Sequence, residues 1–310
     1  MIKVLAIVGP TAVGKTALSI KLAHEFNGEI ISGDSMQVYQ GLDIGTAKVT
    51  KTEMDGVKHH LIDIRQIDER FSVADFVDAA SKLIQTITAE GRLPIIVGGT
   101  GFYLQALLSG LELGGDEYQD DHLRKQLLNE AQTDGNEILH QRLNRVDPDA
   151  AAGIPVNNVR RVIRALEVYI KTGHRFSDQQ NAKNQYDAFV IGLTTDRSLL
   201  YQRINERVDQ MVKAGLLNEA QHLYDEGGQE FQSGKGIGYR ELFPYFEQRM
   251  ALDDAVDLIK KDSRHYAKRQ LTWFRNKTQP KPNWYNLVEY PNTLENIKND
   301  VTEWLASAKK

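Results

Sequence analysis

Gly9-Pro10-Thr11-Ala12-Val13-Gly14-Lys15-Thr16 is the stretch on which the fold turns. An apolar, β-branched run at residues 2–8 precedes it and reads as a buried strand. The segment from Gly14 to Phe26 follows and reads as a helix, with Leu18, Leu22 and Phe26 on one face. A G-x-x-x-x-G-K-[ST] pattern between a strand and a helix has a physical meaning. Its glycines let the backbone curl until successive N–H groups point inward, and the helix N-terminus adds its positive dipole end. Gly9 through Thr16 are therefore expected to cradle a diphosphate or triphosphate. Lys15 is expected to supply a mobile cation and the Thr16 hydroxyl a ligand for Mg2+. The loop leaves open which phosphate ester binds and what leaves.

Working outward, Glu29–Ser32 reads as a second short strand, followed by a loop studded with Gly33, Gly41 and Gly45. Ser72, paired with Asp75 as an N-terminal cap, opens a helix whose apolar residues recur at three-and-four spacing from Val73 to Ile87. Leu93–Val97 is another buried strand, ending in Gly98-Gly99-Thr100-Gly101. This alternation predicts an α/β fold, a P-loop NTPase-like parallel sheet flanked by helices and joined by right-handed crossovers. Around residues 110–121 glycines (Gly110, Gly114, Gly115) and acids mark a boundary, and residues 122–185 read as wholly helical. There Val159, Ile163, Leu166 and Ile170 make one apolar stripe. The expected organisation is a first core segment at 1–115, an all-helical insertion domain at 116–186, and a core continuation with a helical C-terminal region at 187–310. Ala188–Leu193 returns to strand, and from Asp196 the chain reads as mostly helical.

The 310 residues are 41% hydrophobic and 26% charged, a globular balance, and contain no cysteine, which excludes disulfides and cysteine zinc sites. The apolar run at the N-terminus is too short to span a bilayer and enters a glycine loop rather than a cleavage site, so a soluble cytoplasmic protein with no membrane partner is expected. A formal net charge of −4 argues against a general nucleic-acid coat. One local region departs from it. Lys260, Lys261, Arg264, Lys268, Arg269, Arg275, Lys277 and Lys281 stand against a single acid, Asp262.

Asp34 lies just past the second strand, at the edge where open α/β sheets bind ligands. It reads as a general base, as a metal ligand, or as a turn-forming aspartate. Its distance from Gly14 resembles that of the ribose acid of dinucleotide folds, but G-x-G-x-x-G is missing, which excludes NAD.

The run Asp34-Ser-Met-Gln-Val-Tyr-Gln-Gly-Leu-Asp-Ile-Gly-Thr-Ala-Lys48, together with Gly9–Thr16, resembles the bacterial tRNA dimethylallyltransferase family, also called tRNA isopentenyltransferases. The similarity continues through residues 59–63, 71–76, 98–103, 146–151, 160–168, 236–240 and 268–275, nearly the whole chain. The turn Ile154-Pro155-Val156-Asn157 departs from a His-Pro-Asn type turn, and the zinc finger of eukaryotic relatives is absent. The resemblance implies transfer of a dimethylallyl group from dimethylallyl diphosphate to an adenine amine of tRNA, with Mg2+ as cofactor, the anticodon stem-loop as partner and a monomer as the expected state. It implies that Asp34 takes the amine proton, and that Arg207 or Arg203 completes the diphosphate clamp, Arg207 being favoured. It implies tRNA contacts at Asp34, Ser35, Met36, Gln37, Thr100 and Arg124. It extends them to Arg160, Arg161 and Arg164, to Lys235, Tyr239 and Arg240, and to Lys268, Arg269 and Arg275.

Plainer readings stand beside these. The arginines of 160–164 also read as a solvated basic face, and Arg203 or Arg207 as a partner of Glu206 or Asp209. Trp273 reads as a base-stacking surface or, more commonly, as a buried anchor. His59 and His60 read as structural. A P-loop kinase of a small metabolite shares the loop and the acid after strand two. A nucleotide-dependent RNA-docking switch would share the loop alone.

Overall fold

The computed structural model describes residues 1–111, 121–178 and 186–307. In chain order its elements are β1 (Ile2–Val8), α1 (Lys15–Glu25), β2 (Gly28–Ser32), α2 (Lys51–Met54), β3 (His59–His60), α3 (Val73–Ala89), β4 (Leu93–Gly98) and α4 (Gly101–Ser109). Four helices follow: α5 (Asp121–Asp134), α6 (Asn136–Val146), α7 (Pro148–Gly153) and α8 (Val159–Thr172). The chain then continues as β5 (Tyr186–Leu193), α9 (Arg197–Lys213), α10 (Leu216–Asp225), α11 (Phe243–Phe246), α12 (Leu252–Asn276), β6 (Asn283–Tyr285) and α13 (Thr293–Ala306). It divides into two compact units, Met1–Leu108 with Asn184–Lys310, and Ser109–Lys183. Gly114 and Gly115, which marked the boundary in the sequence, lie outside the described residues.

The larger unit is built on a six-stranded parallel sheet of order β3-β2-β4-β1-β5-β6. Parallel strands bury both faces, which explains the continuous apolar runs. Val4, Ala6 and Val8 face one core with Ile31, Ile96 and the α3 residues Phe76, Ala80, Ile84 and Ile87. Leu5 and Ile7 face the other, with Ile30, Ile95, Leu18 and Leu22 of α1, and Ile297, Val301 and Trp304 of α13. The Ser72 hydroxyl accepts from Asp75 N while Asp75 accepts from Ser72 N, the reciprocal cap expected from the sequence.

Two strands were not legible. β3 is His59-His60, two residues with no apolar alternation, held by pairing with Ile30 and Ile31. His60 Nε2 meets Glu29, which is 1% exposed and also takes Arg92 and Lys58. This agrees with a structural role for the histidine pair. β6 is a three-residue strand inside the mostly helical stretch that follows Asp196. Pro280 and Pro282 stop α12 from continuing, and residues 283–285 then pair with Ile191–Leu193. Among the described residues no helix is long and apolar enough to cross a membrane.

The smaller unit packs α5 to α8 around Leu127, Leu139, Leu143, Ile154, Val162, Ile163 and Leu166. Ile170 was expected in that stripe and is instead 43% exposed, because the buried face of α8 centres on Val162, Ala165 and Leu166. Asp147, fully buried, caps α7 through Ala150 N and binds Ser177 through both its N–H and its hydroxyl.

Candidate active site

Three loops leave the carboxyl ends of neighbouring strands β1, β4 and β2, where open α/β sheets place their ligands. The first is Gly9–Thr16. Ala12 (φ 64) and Gly14 (φ 97) are left-handed, and this alternation of hand turns backbone N–H groups to one side as an anion nest. A Cβ on Gly14 would meet nothing within 4 Å, so glycine is favoured there by backbone hand and not by crowding. Lys15 Nζ folds back to donate to the carbonyls of Gly9 (3.0 Å) and Pro10 (2.7 Å). Burial and then the charge of Arg207 pull the Lys15 ammonium down to about 8, against the opposing pull of Asp34. Thr16 is exposed in the first turn of α1.

The second loop carries Asp34, two residues beyond β2. Its Oδ1 accepts from Met36 N (2.8 Å). Burial pushes the Asp34 carboxyl above its ordinary value, opposed by that hydrogen bond and by the charges of Lys15 and Arg207. Thr100, from the third loop, accepts from Ser35 N (3.1 Å) and donates to Ser35 Oγ (3.3 Å), so its hydroxyl is spent on shaping the Asp34 loop. Gln37 is likewise engaged, with Ser32 Oγ and the carbonyls of Thr46 and Ala47. Met36 packs partly buried against the core. The far end of the same loop is tied by Lys48, whose Nζ donates to Tyr39 O and pairs with Asp43 and Asp63.

Helices α9 and α12 pack together through Leu200, Ile204 and Ala267, with Ala12 of the first loop against them. Arg203 Nε donates to Ala12 O (2.9 Å). Burial pulls the Arg207 guanidinium below its ordinary value, against the charges of Glu53 and Asp34, and it lies in the field of Lys15. The plainer partners are taken elsewhere, Glu206 by Gln202 and Asp209 by Lys260. From α12, Gln270 reaches Thr11 N and Gly99 O. Tyr266 lies against Thr100 and Gln270, and burial, with the Asp34 charge next, pushes its phenol up to about 12.

The residues implied as RNA contacts divide. Lys235, Lys268, Arg269 and Arg275 are exposed on the larger unit, and Arg160 and Arg161 on the smaller. Arg269 lies over Tyr266 and Arg275 over Trp284. Trp273 is half-buried against Phe102 in an edge-to-face pair, nearer the anchor reading. Arg124 and Arg164 are engaged by Glu167, which is fully buried and takes Arg124 through both oxygens and Arg164 through one. A buried carboxylate demands such partners: Arg124 ties α5 to α8 through it, and Arg164 pairs with it one turn away on α8 itself. Arg240 pairs with Glu241 and Asp262.

Tyr239 stands apart from the exposed residues: it is 0% exposed, and its hydroxyl donates to Glu219 (2.7 Å). Glu219 also accepts from the backbone N–H groups of Asp43, Ile44 and Gly45. Tyr239 therefore braces the Asp34–Lys48 loop from beneath. Tyr239→Phe is expected to destabilise the protein by about 1.5–3 kcal/mol, the range for a hydrogen bond to a charged group. Its affinity for RNA should stay that of the wild type. A thermal melt and a filter-binding titration check the two halves.

Sequence reasoning missed Gln270, Glu219 and Lys48. Gln270 stands inside the run 268–275, where the surrounding charges carry the stronger signal. Nothing local marked Glu219.

A G-x-x-x-x-G-K-[ST] turn after β1 and an acid just beyond β2, both at the carboxyl edge of a parallel sheet, define an α/β fold with its site at that edge. The family model described as IPP transferase matches residues 37–277, starting after both the cradle and Asp34. The tRNA dimethylallyltransferases of Limosilactobacillus reuteri and Levilactobacillus brevis are 57% and 58% identical over 307 and 305 residues, covering 98% of this chain and 99% of each relative. The crystal structure of the full-length tRNA isopentenylpyrophosphate transferase from Bacillus halodurans superposes with a TM-score of 0.75 at 49% identity, over 98% of this chain and 97% of that one. A eukaryotic dimethylallyltransferase captured acting on tRNA gives a TM-score of 0.84 at 30% identity, over 98% and 80%. The chain belongs to the IPP transferase family.

Proposed function

We propose that this protein transfers the dimethylallyl group of dimethylallyl diphosphate to the N6 amine of the adenosine 3′-adjacent to the tRNA anticodon, releasing diphosphate and forming N6-isopentenyladenosine. The observation that carries the reading is the shared electrostatic neighbourhood of Lys15, Arg207 and Asp34: one cation at the end of the first loop, one on α9, and a base of raised basicity on the loop after β2. The amine nitrogen bonds to the allylic carbon as the carbon–oxygen bond breaks. The electron pair leaves on the diphosphate, where Lys15, Arg207 and the loop N–H groups stabilise it. The amine is a poor nucleophile because its lone pair is delocalised into the ring, and the Asp34 carboxylate accepts its proton as the bond forms. The base reaches this position by leaving its stack, as in other base-modifying enzymes.

The residues suit Mg2+ in one way. Among the described residues no cluster of three or more His, Asp or Glu could cage a metal, which fits an ion taking most ligands from phosphate and water. Thr16 would hold it, and it would neutralise charge on the leaving diphosphate. The exposed Lys268, Arg269 and Arg275 on α12 supply the phosphate-tracking surface for the anticodon stem-loop. Incubation with unmodified tRNA, labelled dimethylallyl diphosphate and Mg2+, without ATP, tests the reading. Label recovered on adenosine supports it. No label, with phosphate transfer to a small acceptor when ATP is supplied, replaces it with a kinase.

A further inference from the structure

We infer that Gln270 is a positioning residue that ties the diphosphate cradle to the loop shaping Asp34, holding the leaving oxygen and the attacking amine in line. The inference rests on the prenyl-transfer reading above. Gln270 is 6% exposed on α12. Its Oε1 accepts from Thr11 N at 2.9 Å, inside the cradle, and its Nε2 donates to Gly99 O at 3.0 Å, at the end of β4. The next residue, Thr100, receives Ser35 N, and Ser35 adjoins Asp34. One side chain therefore links, in three steps, the loop holding the leaving group to the loop holding the base. A Cβ on Gly99 would lie 2.2 Å from Gln270 Nε2, so the amide fills its seat without slack.

An amide suits this seat chemically. It presents an acceptor and a donor at the ends of one rigid plane, and it is neutral beside an anion site. Methionine has similar length and volume but offers neither bond. Glutamate keeps the acceptor for Thr11 and turns a lone pair toward the Gly99 carbonyl. Bonds that align two reacting groups act on the chemical step more than on the binding of either, and a misplacement of about 1 Å costs about 10²-fold in rate.

The test is single-turnover transfer with both substrates saturating, for Gln270→Met, Gln270→Glu, Thr100→Val and the Gln270→Met/Thr100→Val double variant. Dissociation constants for inorganic diphosphate and an anticodon stem-loop RNA are measured separately, and each variant is confirmed folded by circular dichroism at the assay temperature. Gln270→Met is expected to lose about 30- to 100-fold in the transfer step while stem-loop affinity stays within about threefold. Gln270→Glu, which removes the donor and adds a negative charge beside the anion site, loses rate as well, and serves alone should the methionine variant not fold. Thr100→Val should cost less on the Gln270→Met background than in the wild type, because the same linkage is already cut. Folded Gln270 variants with a wild-type transfer step, or additive losses in the cycle, overturn the inference. A wild-type protein that transfers no prenyl group overturns the functional reading instead.

Discussion

Asp34→Asn is expected to slow prenyl transfer by about 10²–10⁴-fold, the contribution of a positioned general base. The same variant should melt at a higher temperature than the wild type at pH 7. The substitution is chosen because an amide oxygen still accepts from Met36 N, so the loop keeps its shape and only the proton acceptor is lost. The stability half follows from the raised carboxyl. The folded protein holds the Asp34 proton more tightly than the unfolded chain, chiefly because of burial. Stability therefore falls as pH rises from the unfolded value through the folded one, a cost of the carboxyl's burial that asparagine does not carry. The acid limb of the transfer rate should likewise lie above the ordinary aspartate range, since the base works only when ionised. Stem-loop affinity should change only a few fold. A fully active Asp34→Asn would remove this carboxylate from the mechanism.

Lys15→Ala is expected to lower the transfer rate by about 10²–10³-fold, the cost of losing one preorganised stabiliser of developing negative charge. Affinity for inorganic diphosphate should fall with it. The pH dependence gives a second, independent check. Burial, with Arg207 adding, holds the free ammonium at about 8, below its ordinary value. The charged form is thus a cost to folding below that pH, a cost relieved as pH rises through about 8 toward the ordinary lysine value. Diphosphate demands the opposite, since only the ammonium binds it. Binding at pH 8.5 should therefore draw a proton from solution. Calorimetric titrations at that pH in two buffers of different ionisation enthalpy measure the uptake, and Lys15→Ala should abolish it. Equal heats in both buffers for the wild type would show that Lys15 is already charged in the free protein.

Both experiments act on residues that stand side by side in the chain or follow a strand end, and this is why they were legible. The cradle is a local object: its glycines, its lysine and the helix that completes it lie within a dozen residues, so spacing alone specifies the turn of the backbone. Asp34 follows from one further rule, that strand ends point at ligands. The Ser72–Asp75 cap and the apolar runs of β1, β2, β4 and β5 were readable for the same reason. Where the period was too short, as in His59-His60, or masked by flanking basic helix, as in residues 283–285, strands were lost. Exposure was a weaker inference. A basic or aromatic residue in a recognisable motif carries no sign of whether it faces solvent: Tyr239 is buried with its hydroxyl on Glu219, and Arg124 and Arg164 meet the buried Glu167.

Local sequence, then, determined the strand–loop–helix cradle, the acid after β2 and the parallel α/β frame, because each depends on the hand and period of a few consecutive residues. Tertiary structure alone decided how those parts are held together. Thr11 and Gln270 are 259 positions apart, and Glu219 reaches back 174 to 176 positions to the backbone of residues 43–45. Such bonds exist only once α9, α10 and α12 have packed, since a single side chain's hydrogen-bonding capacity says nothing of which distant carbonyl or N–H will be brought within 3 Å of it.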